Sequence, residues 1–125
     1  MAVYSREKGR TLTQAIDIVQ RYHQAWTGGD VEGALAYIAD DVHRCAPGNE
    51  IVGKEAYREY LLDFVAELTT VVDIAQLVEG DQVALFYYPQ TTGTDDAATG
   101  EYFVVEDDKI TKTIVVYERE SVSAA

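Results

Sequence analysis

The sequence predicts a single α+β domain, with helices in its first part and an antiparallel sheet in its second part. Apolar residues recur at spacings of three and four up to about residue 68. From Val71 onward the apolar period changes to two, which is typical of strands. Turn residues separate these later segments at short intervals. This order is typical of proteins in which helices pack on one face of a curved sheet.

The first two helices are predicted from their caps and their apolar spacing. Thr11, followed three residues later by a glutamine, fits a capping box at the start of the first helix. Gly28 and Gly29 supply a left-handed stop, and Asp30 is a good N-cap for a second helix over roughly 31–38. The inward positions of the first helix are Leu12, Ala15, Ile16, Val19, Tyr22 and Trp26.

A third helix and five strands complete the predicted domain. The helix runs from Lys54 to about Glu67 and carries an apolar stripe at spacings of three and four. That stripe consists of Tyr57, Tyr60, Leu61, Phe64, Val65 and Leu68. The strands are predicted at 42–46, 71–79, 82–92, 100–106 and 110–118, and the breaks at Pro47-Gly48, 79–82, 91–99 and 107–109.

Length, charge and cysteine content narrow the class of protein. We expect a flexible arm at 1–10, one domain at 11–118 and a frayed tail at 119–125. The net charge of −12 repels phosphate groups, so neither nucleic acid nor an anionic membrane is an expected partner. Cys45 is the single cysteine and cannot form a disulfide within the chain. Without an apolar run of signal-peptide or membrane-spanning length, a cytoplasmic protein is expected.

Four segments carry a resemblance to a known superfamily. They are Trp26-Thr-Gly-Gly-Asp30, Ala39-Asp-Asp41, Val52-Gly-Lys-Glu-Ala-Tyr57 and Phe103-Val-Val-Glu-Asp-Asp-Lys-Ile-Thr111. The chain resembles the nuclear-transport-factor-2-like superfamily over residues 11–118. Within it, the chain looks like the SnoaL-like polyketide cyclases and the ketosteroid isomerases. The resemblance implies a cone-shaped, cystatin-like α+β barrel with a pocket, and often a homodimer formed through the outer face of the sheet.

The resemblance also implies roles for three pocket positions. Tyr22 lies eight residues before Asp30, as does the isomerase tyrosine that donates a hydrogen bond to a developing enolate. Glu101 falls where those enzymes hold a second, protonated acid. Ala46, just before Pro47, takes the place of their aspartate general base. The group that would abstract a proton from carbon is therefore absent from its family position.

We predict that the domain encloses a small, uncharged, apolar or aromatic molecule, with Tyr22 and Glu101 as polar or catalytic anchors. The predicted wall consists of Trp26, Tyr60, Leu61, Phe86, Phe103 and Val115. Other tyrosines that favour an aromatic cavity are Tyr57, Tyr87, Tyr88 and Tyr117. Three roles stay open. The chain is a binding protein, an isomerase or cyclase using Glu101 (or, less favoured, Asp73) beside a carbonyl, or an assembly module. The ordinary interpretations are that Tyr22 fills core volume and that Glu101 is solvated.

His43 and Cys45 are a weaker candidate pair. They lie two residues apart on one strand and point to the same side, as a nucleophile and its base would. Their side chains are expected to run parallel, and no third orienting group is evident. We therefore interpret Cys45 as a small buried residue at the pocket mouth. No histidine belongs to a spaced ligand set and there is no glycine-rich phosphate loop, so neither a metal nor a cofactor is predicted.

Overall fold

The computed structural model describes residues 14–92 and 97–118. In these ranges three helices pack on one face of a six-stranded sheet, which confirms the predicted α+β class. The predicted Thr11 cap, the arm at 1–10 and the tail at 119–125 lie outside the described residues. The elements are α1 Ala15–Thr27, α2 Val31–Leu35, β1 Ile38–Ala46, β2 Asn49–Val52, α3 Lys54–Glu67, β3 Leu68–Glu79, β4 Gln82–Thr91, β5 Thr99–Glu106 and β6 Lys109–Tyr117.

The sheet is curved and open. Its strand order is β2-β1-β6-β5-β4-β3, so β2 and β3 are its edges and the shape is cone-like without barrel closure. All neighbouring strands are antiparallel except β1 and β6, which pair in parallel. The meander predicted for the second part corresponds to β3–β6. Its last strand then pairs with β1, which joins the two parts of the chain in one sheet.

The turns between helices follow the predicted signals. Gly29 has a φ of 90°, which supplies the left-handed stop of α1. The Asp30 side chain accepts a hydrogen bond of 2.9 Å from the Gly33 amide and caps α2. This helix ends at Leu35, earlier than predicted, because Ile38 already belongs to β1 and is in register with β6.

One strand was not predicted. Pro47 and Gly48 form a two-residue turn, after which β2 runs back along β1 with Asn49 opposite Ala46. Gly48 has a φ of 70°, a conformation that a glycine adopts without a steric penalty. The proline–glycine pair therefore reverses the chain into a hairpin, whereas the sequence interpretation used it only as the end of a strand.

The core lies between the helices and the inner face of the sheet. The largest side chains that are fully buried there are Trp26, Tyr22, Tyr57, Phe103, Leu35, Ile38, Leu61 and Ile110. Many apolar side chains on the other side of the sheet and on β3 are exposed: Val72, Ile74, Leu77, Val78, Phe86, Tyr88, Val116 and Tyr117. A second copy covering this outer face would fit the predicted homodimer, which stays a prediction. None of the described helices is long and apolar enough to span a membrane.

Candidate functional site

A buried carboxyl group lies at the centre of the sheet's inner face. Glu101 alternates with Phe103 on β5, so both side chains point toward the helices, and Glu101 is only 5% exposed. The Tyr87 hydroxyl donates to one carboxyl oxygen at 2.7 Å, and the Thr113 hydroxyl lies 3.1 Å from the other. The predicted inward direction of Glu101 is therefore correct, and the alternative of a solvated strand end is wrong for this residue.

Burial changes the protonation of this carboxyl group. Loss of solvation raises the pKa of Glu101, because a charged carboxylate is disfavoured away from water. The hydrogen bond from Tyr87 and the positive charge of Arg44 lower the pKa and offset part of this shift. Glu101 therefore holds its proton to a higher pH than a solvated glutamate does. A group of this kind can act as a proton donor, or can bind an oxygen in its neutral form.

The second predicted anchor lies in a pair of phenols. The Tyr22 and Tyr57 hydroxyl oxygens are 2.5 Å apart, and the ring of Phe103 packs edge-on against Tyr22. Burial, reinforced by the neighbouring phenol and by Glu101, raises the pKa of Tyr22 well above its usual range. Both phenols are therefore neutral at physiological pH. Tyr22 and Glu101 each have their own hydrogen-bond partners: Tyr57 for the phenol, and Tyr87 with Thr113 for the carboxyl group.

The sequence interpretation missed Arg44. This side chain is 5% exposed, because it lies on the inner face of β1 beside Val42. Its Nη2 donates to the Tyr60 hydroxyl at 2.9 Å, and its Cζ lies 3.9 Å from the centre of the Tyr60 ring. Burial raises the pKa of Tyr60 to about 12, and the nearby Arg44 charge partly opposes this. Strand alternation around Val42 was a sufficient signal for its direction.

A second missed pair joins α1 to β3. His23 is 7% exposed, and its Nε2 lies 2.9 Å from a carboxylate oxygen of the exposed Asp73. Because a carboxylate can only accept, Nε2 is the donor in this bond, and in the neutral tautomer with that proton Nδ1 is an acceptor. The His23 ring also contacts the Trp26 and Tyr87 rings, at centroid distances of 5.1 and 4.9 Å. The sequence did contain a signal for the burial of His23, because it lies four residues after Val19 on the same side of the predicted helix.

Two nitrogens in this cluster have no hydrogen-bond partner among the described residues. They are Nδ1 of His23 and Nε1 of Trp26, and both are buried. Such atoms are rare in folded proteins because an unpaired buried polar atom costs about 1–3 kcal/mol. A polar atom of a ligand or a water molecule would remove that cost.

A cavity of about 290 Å³ opens beside this cluster, between α1 and the strands β3 and β4. His23 and Asp73 line its polar part, and Leu85 lines its apolar part. Leu85 is in register with Glu101 on the neighbouring strand, and the Tyr87 ring links His23 to the Glu101 carboxyl group. The cavity is thus on the α1–β3 side of the buried cluster.

The predicted wall residues divide into two groups. Those that lie inside, fully or partly buried, are Trp26, Tyr60, Leu61, Phe103 and Val115. The predicted inward face of Phe86 is wrong. Its ring is 39% exposed, lies against Gly100 and borders the α1–β3 cavity. Strand β3 has a bulge between Asp73 and Ala75, next to Phe86 on β4. Tyr88 and Tyr117 are also exposed, and Tyr117 lies at the end of β6 on the same face as the buried Val115.

Comparison with known proteins places this geometry in context. The model of the SnoaL-like domain family matches residues 19–113. A protein from Kribbella flavida DSM 17836 is 26% identical, with a TM-score of 0.82 over 90% of this chain and 93% of that one. A candidate polyketide cyclase from Xanthomonas campestris pv. campestris is 24% identical, with a TM-score of 0.72 over 83% and 90%. A candidate ketosteroid isomerase from Kribbella flavida DSM 17836 is 19% identical, with a TM-score of 0.73 over 86% and 79%. The search of curated proteins found no match.

Proposed function

Because the chain belongs to the SnoaL-like domain family, we propose that it binds a small, uncharged, apolar or aromatic molecule that carries a carbonyl or phenol group. The observation that carries this proposal is the cavity lined by His23, whose buried Nδ1 has no hydrogen-bond partner among the described residues. With the ring proton on Nε2 toward Asp73, Nδ1 can accept a hydrogen bond, so the hydroxyl of a phenol or hydroxyketone would match it.

The size and charge of the cavity restrict the ligand. A volume of about 290 Å³ lies at the lower end of small-molecule pockets, which fits a molecule of one or two fused rings. Asp73 at the cavity and the net charge of −12 disfavour an anionic ligand. Apolar contacts are available from Ile74, Leu85 and Phe86, which line the cavity.

The first test uses Trp26 as its own reporter, since it is the single tryptophan. Titration of the wild type with naphthols, small phenols and aromatic ketones is expected to give a saturable change in tryptophan fluorescence for at least one compound. His23→Asn should weaken that affinity about tenfold, the effect of one hydrogen bond and its unpaired partner. Arg21→Gln, on the exposed side of the same helix, should bind as the wild type does. Equal affinity in His23→Asn, or no response to any compound, would contradict the proposal.

Proton transfer beside a carbonyl is the second candidate function, and the His23–Asp73 pair favours it. Asp73 orients the imidazole so that Nδ1 is free to accept a proton from carbon. His23 would thus supply the base that Ala46 lacks, and the Tyr87 hydroxyl, which donates to the buried Glu101 carboxyl group, connects that acid to the His23 ring. Structurally similar chains named as a candidate isomerase and a candidate cyclase make this chemistry a reasonable expectation.

Deuterium exchange tests this second function separately. In D₂O, wild-type protein is expected to speed deuterium incorporation next to the carbonyl of a bound ketone, followed by NMR. His23→Asn should lose about 10²- to 10⁴-fold of that rate, the usual contribution of a general base. Arg21→Gln again serves as the control. A wild type that binds ketones without exchange would leave the binding function and reject the catalytic one. Unchanged exchange in His23→Asn would reject His23 as the base.

A further inference from the structure

A second group of reactive side chains lies on the outer face of the β1–β2 hairpin. His43 and Cys45 alternate with the buried Arg44 on β1, so they point away from the core. Glu50 on β2 is the register partner of Cys45, which brings its side chain to the same face. A strand that the sequence did not predict thus brings a third group to a histidine–cysteine pair.

The three side chains converge. The Cys45 sulfur lies 3.9 Å from His43 Nε2, and that same nitrogen is hydrogen-bonded to the Glu50 carboxylate. One sulfur, one nitrogen and one oxygen therefore lie within 4.8 Å of one another. Ligand atoms around a tetrahedral zinc ion are about 3.3–3.8 Å apart, because the bonds are about 2.0–2.3 Å long. Small rotations of exposed side chains would reach that geometry.

We propose that His43, Cys45 and Glu50 bind a divalent zinc ion with three protein ligands and one position left for water. Thiolate, imidazole and carboxylate are the ligands that zinc prefers, whereas magnesium and calcium favour oxygen alone. On binding, the Cys45 thiol releases its proton to solvent, and the proton of the neutral His43 ring is exchanged from Nε2 to Nδ1, so that Nε2 can bind the ion. The thiolate and carboxylate then balance the charge of the ion.

The surroundings permit an ion to enter. His43 and Cys45 are half-buried and Glu50 is exposed, so the ligand atoms are accessible from solvent. The net charge of −12 attracts cations, while Lys112, in register with His43 on β6, offsets one negative charge of the group. The site faces away from Glu101, so it is independent of the proposed ligand function. The ion would link the edge strand β2 to β1.

The test uses the full chain after removal of metal with EDTA. Calorimetric titration with ZnCl₂ is expected to give one ion per chain, and CoCl₂ should give an ultraviolet thiolate-to-cobalt charge-transfer band. Cys45→Ser and His43→Asn should each weaken binding at least tenfold, since even outer-shell partners have effects of about that size. Glu106→Gln removes an exposed carboxylate on another hairpin and should bind zinc as the wild type does.

Several results would overturn the proposal. They are no stoichiometric zinc binding, a cobalt complex without the thiolate band, or equal zinc affinity in the wild type and in Cys45→Ser. Circular dichroism of each metal-free variant establishes that it is folded. Should Cys45→Ser fail to fold, His43→Asn and Glu50→Gln carry the same comparison, and unchanged affinity in both would reject the site.

Discussion

Replacing Arg44 with methionine is expected to lower the free energy of unfolding by about 1–3 kcal/mol at neutral pH, because Glu101 loses the nearby cation that favours its charged form and the Tyr60 hydroxyl loses a hydrogen bond. Arg44 is 5% exposed and its charge lowers the pKa of the equally buried Glu101. Without it, Glu101 must either stay charged with no compensating cation or take up a proton. Methionine keeps much of the side-chain volume, so the loss is mainly electrostatic, with a smaller contribution from the contact with Tyr60.

The pH dependence of that loss has a definite sign. The folded-state pKa of Glu101 is raised above its unfolded value, and removing Arg44 raises it further. The part of the folding stability that depends on such a carboxyl group is fully present below the unfolded pKa of about 4.3. It is lost as the pH rises through the folded-state pKa. The penalty of Arg44→Met should therefore be larger at about pH 8 than at about pH 5.5.

A double variant distinguishes electrostatics from packing. Urea denaturation should show that Glu101→Gln in the Arg44→Met background recovers most of the lost stability at about pH 8, because the neutral amide needs no cation. Arg58→Met is the matched control, since Arg58 forms only surface ion pairs with Glu32 and Glu55, and it should change stability far less. A penalty for Arg44→Met that is independent of pH and unrelieved by Glu101→Gln would contradict this account.

Periodicity predicted the directions of side chains better than their partners. The alternation of β5 correctly turned Glu101 inward, and helical spacing correctly buried Tyr22 and Trp26. The same alternation turns Arg44 inward, but arginine is rarely buried, so its direction was not drawn from the pattern. Charged residues at inward positions are the exceptions to that rule, and here they form part of the buried polar cluster.

The hydrogen bonds of the site required the fold itself. Tyr87 and Thr113 reach Glu101 only because β4 and β6 flank β5 in a particular register, which a single sequence does not specify. His23 and Asp73 are fifty residues apart and meet across the α1–β3 packing. The hollow that the sequence predicts between Tyr22 and Glu101 stays a prediction, and the cavity beside His23 lies on the α1–β3 side.

Replacing Phe103 with alanine is expected to destabilise the protein by about 3–5 kcal/mol, as for other fully buried phenylalanines. Phe103 is 0% exposed and packs edge-on against Tyr22, at a centroid distance of 5.9 Å. Its removal leaves an apolar cavity that the surrounding strands can only partly close. Phe86→Ala is the matched control, because that ring lies on the outer face and is 39% exposed. It should cost far less, close to the surface range of about 0.5 kcal/mol.

The cavity left by Phe103→Ala also tests whether this interior accepts an aromatic guest. An empty apolar cavity of this kind binds benzene in other proteins, and a guest that binds only the folded state stabilises it by about 2.7 kcal/mol at one hundred times its Kd. Benzene should therefore raise the Tm of Phe103→Ala and leave that of Phe86→Ala nearly unchanged. Equal stability of the two alanine variants would show that Phe103 does not support the core between Tyr22 and Glu101.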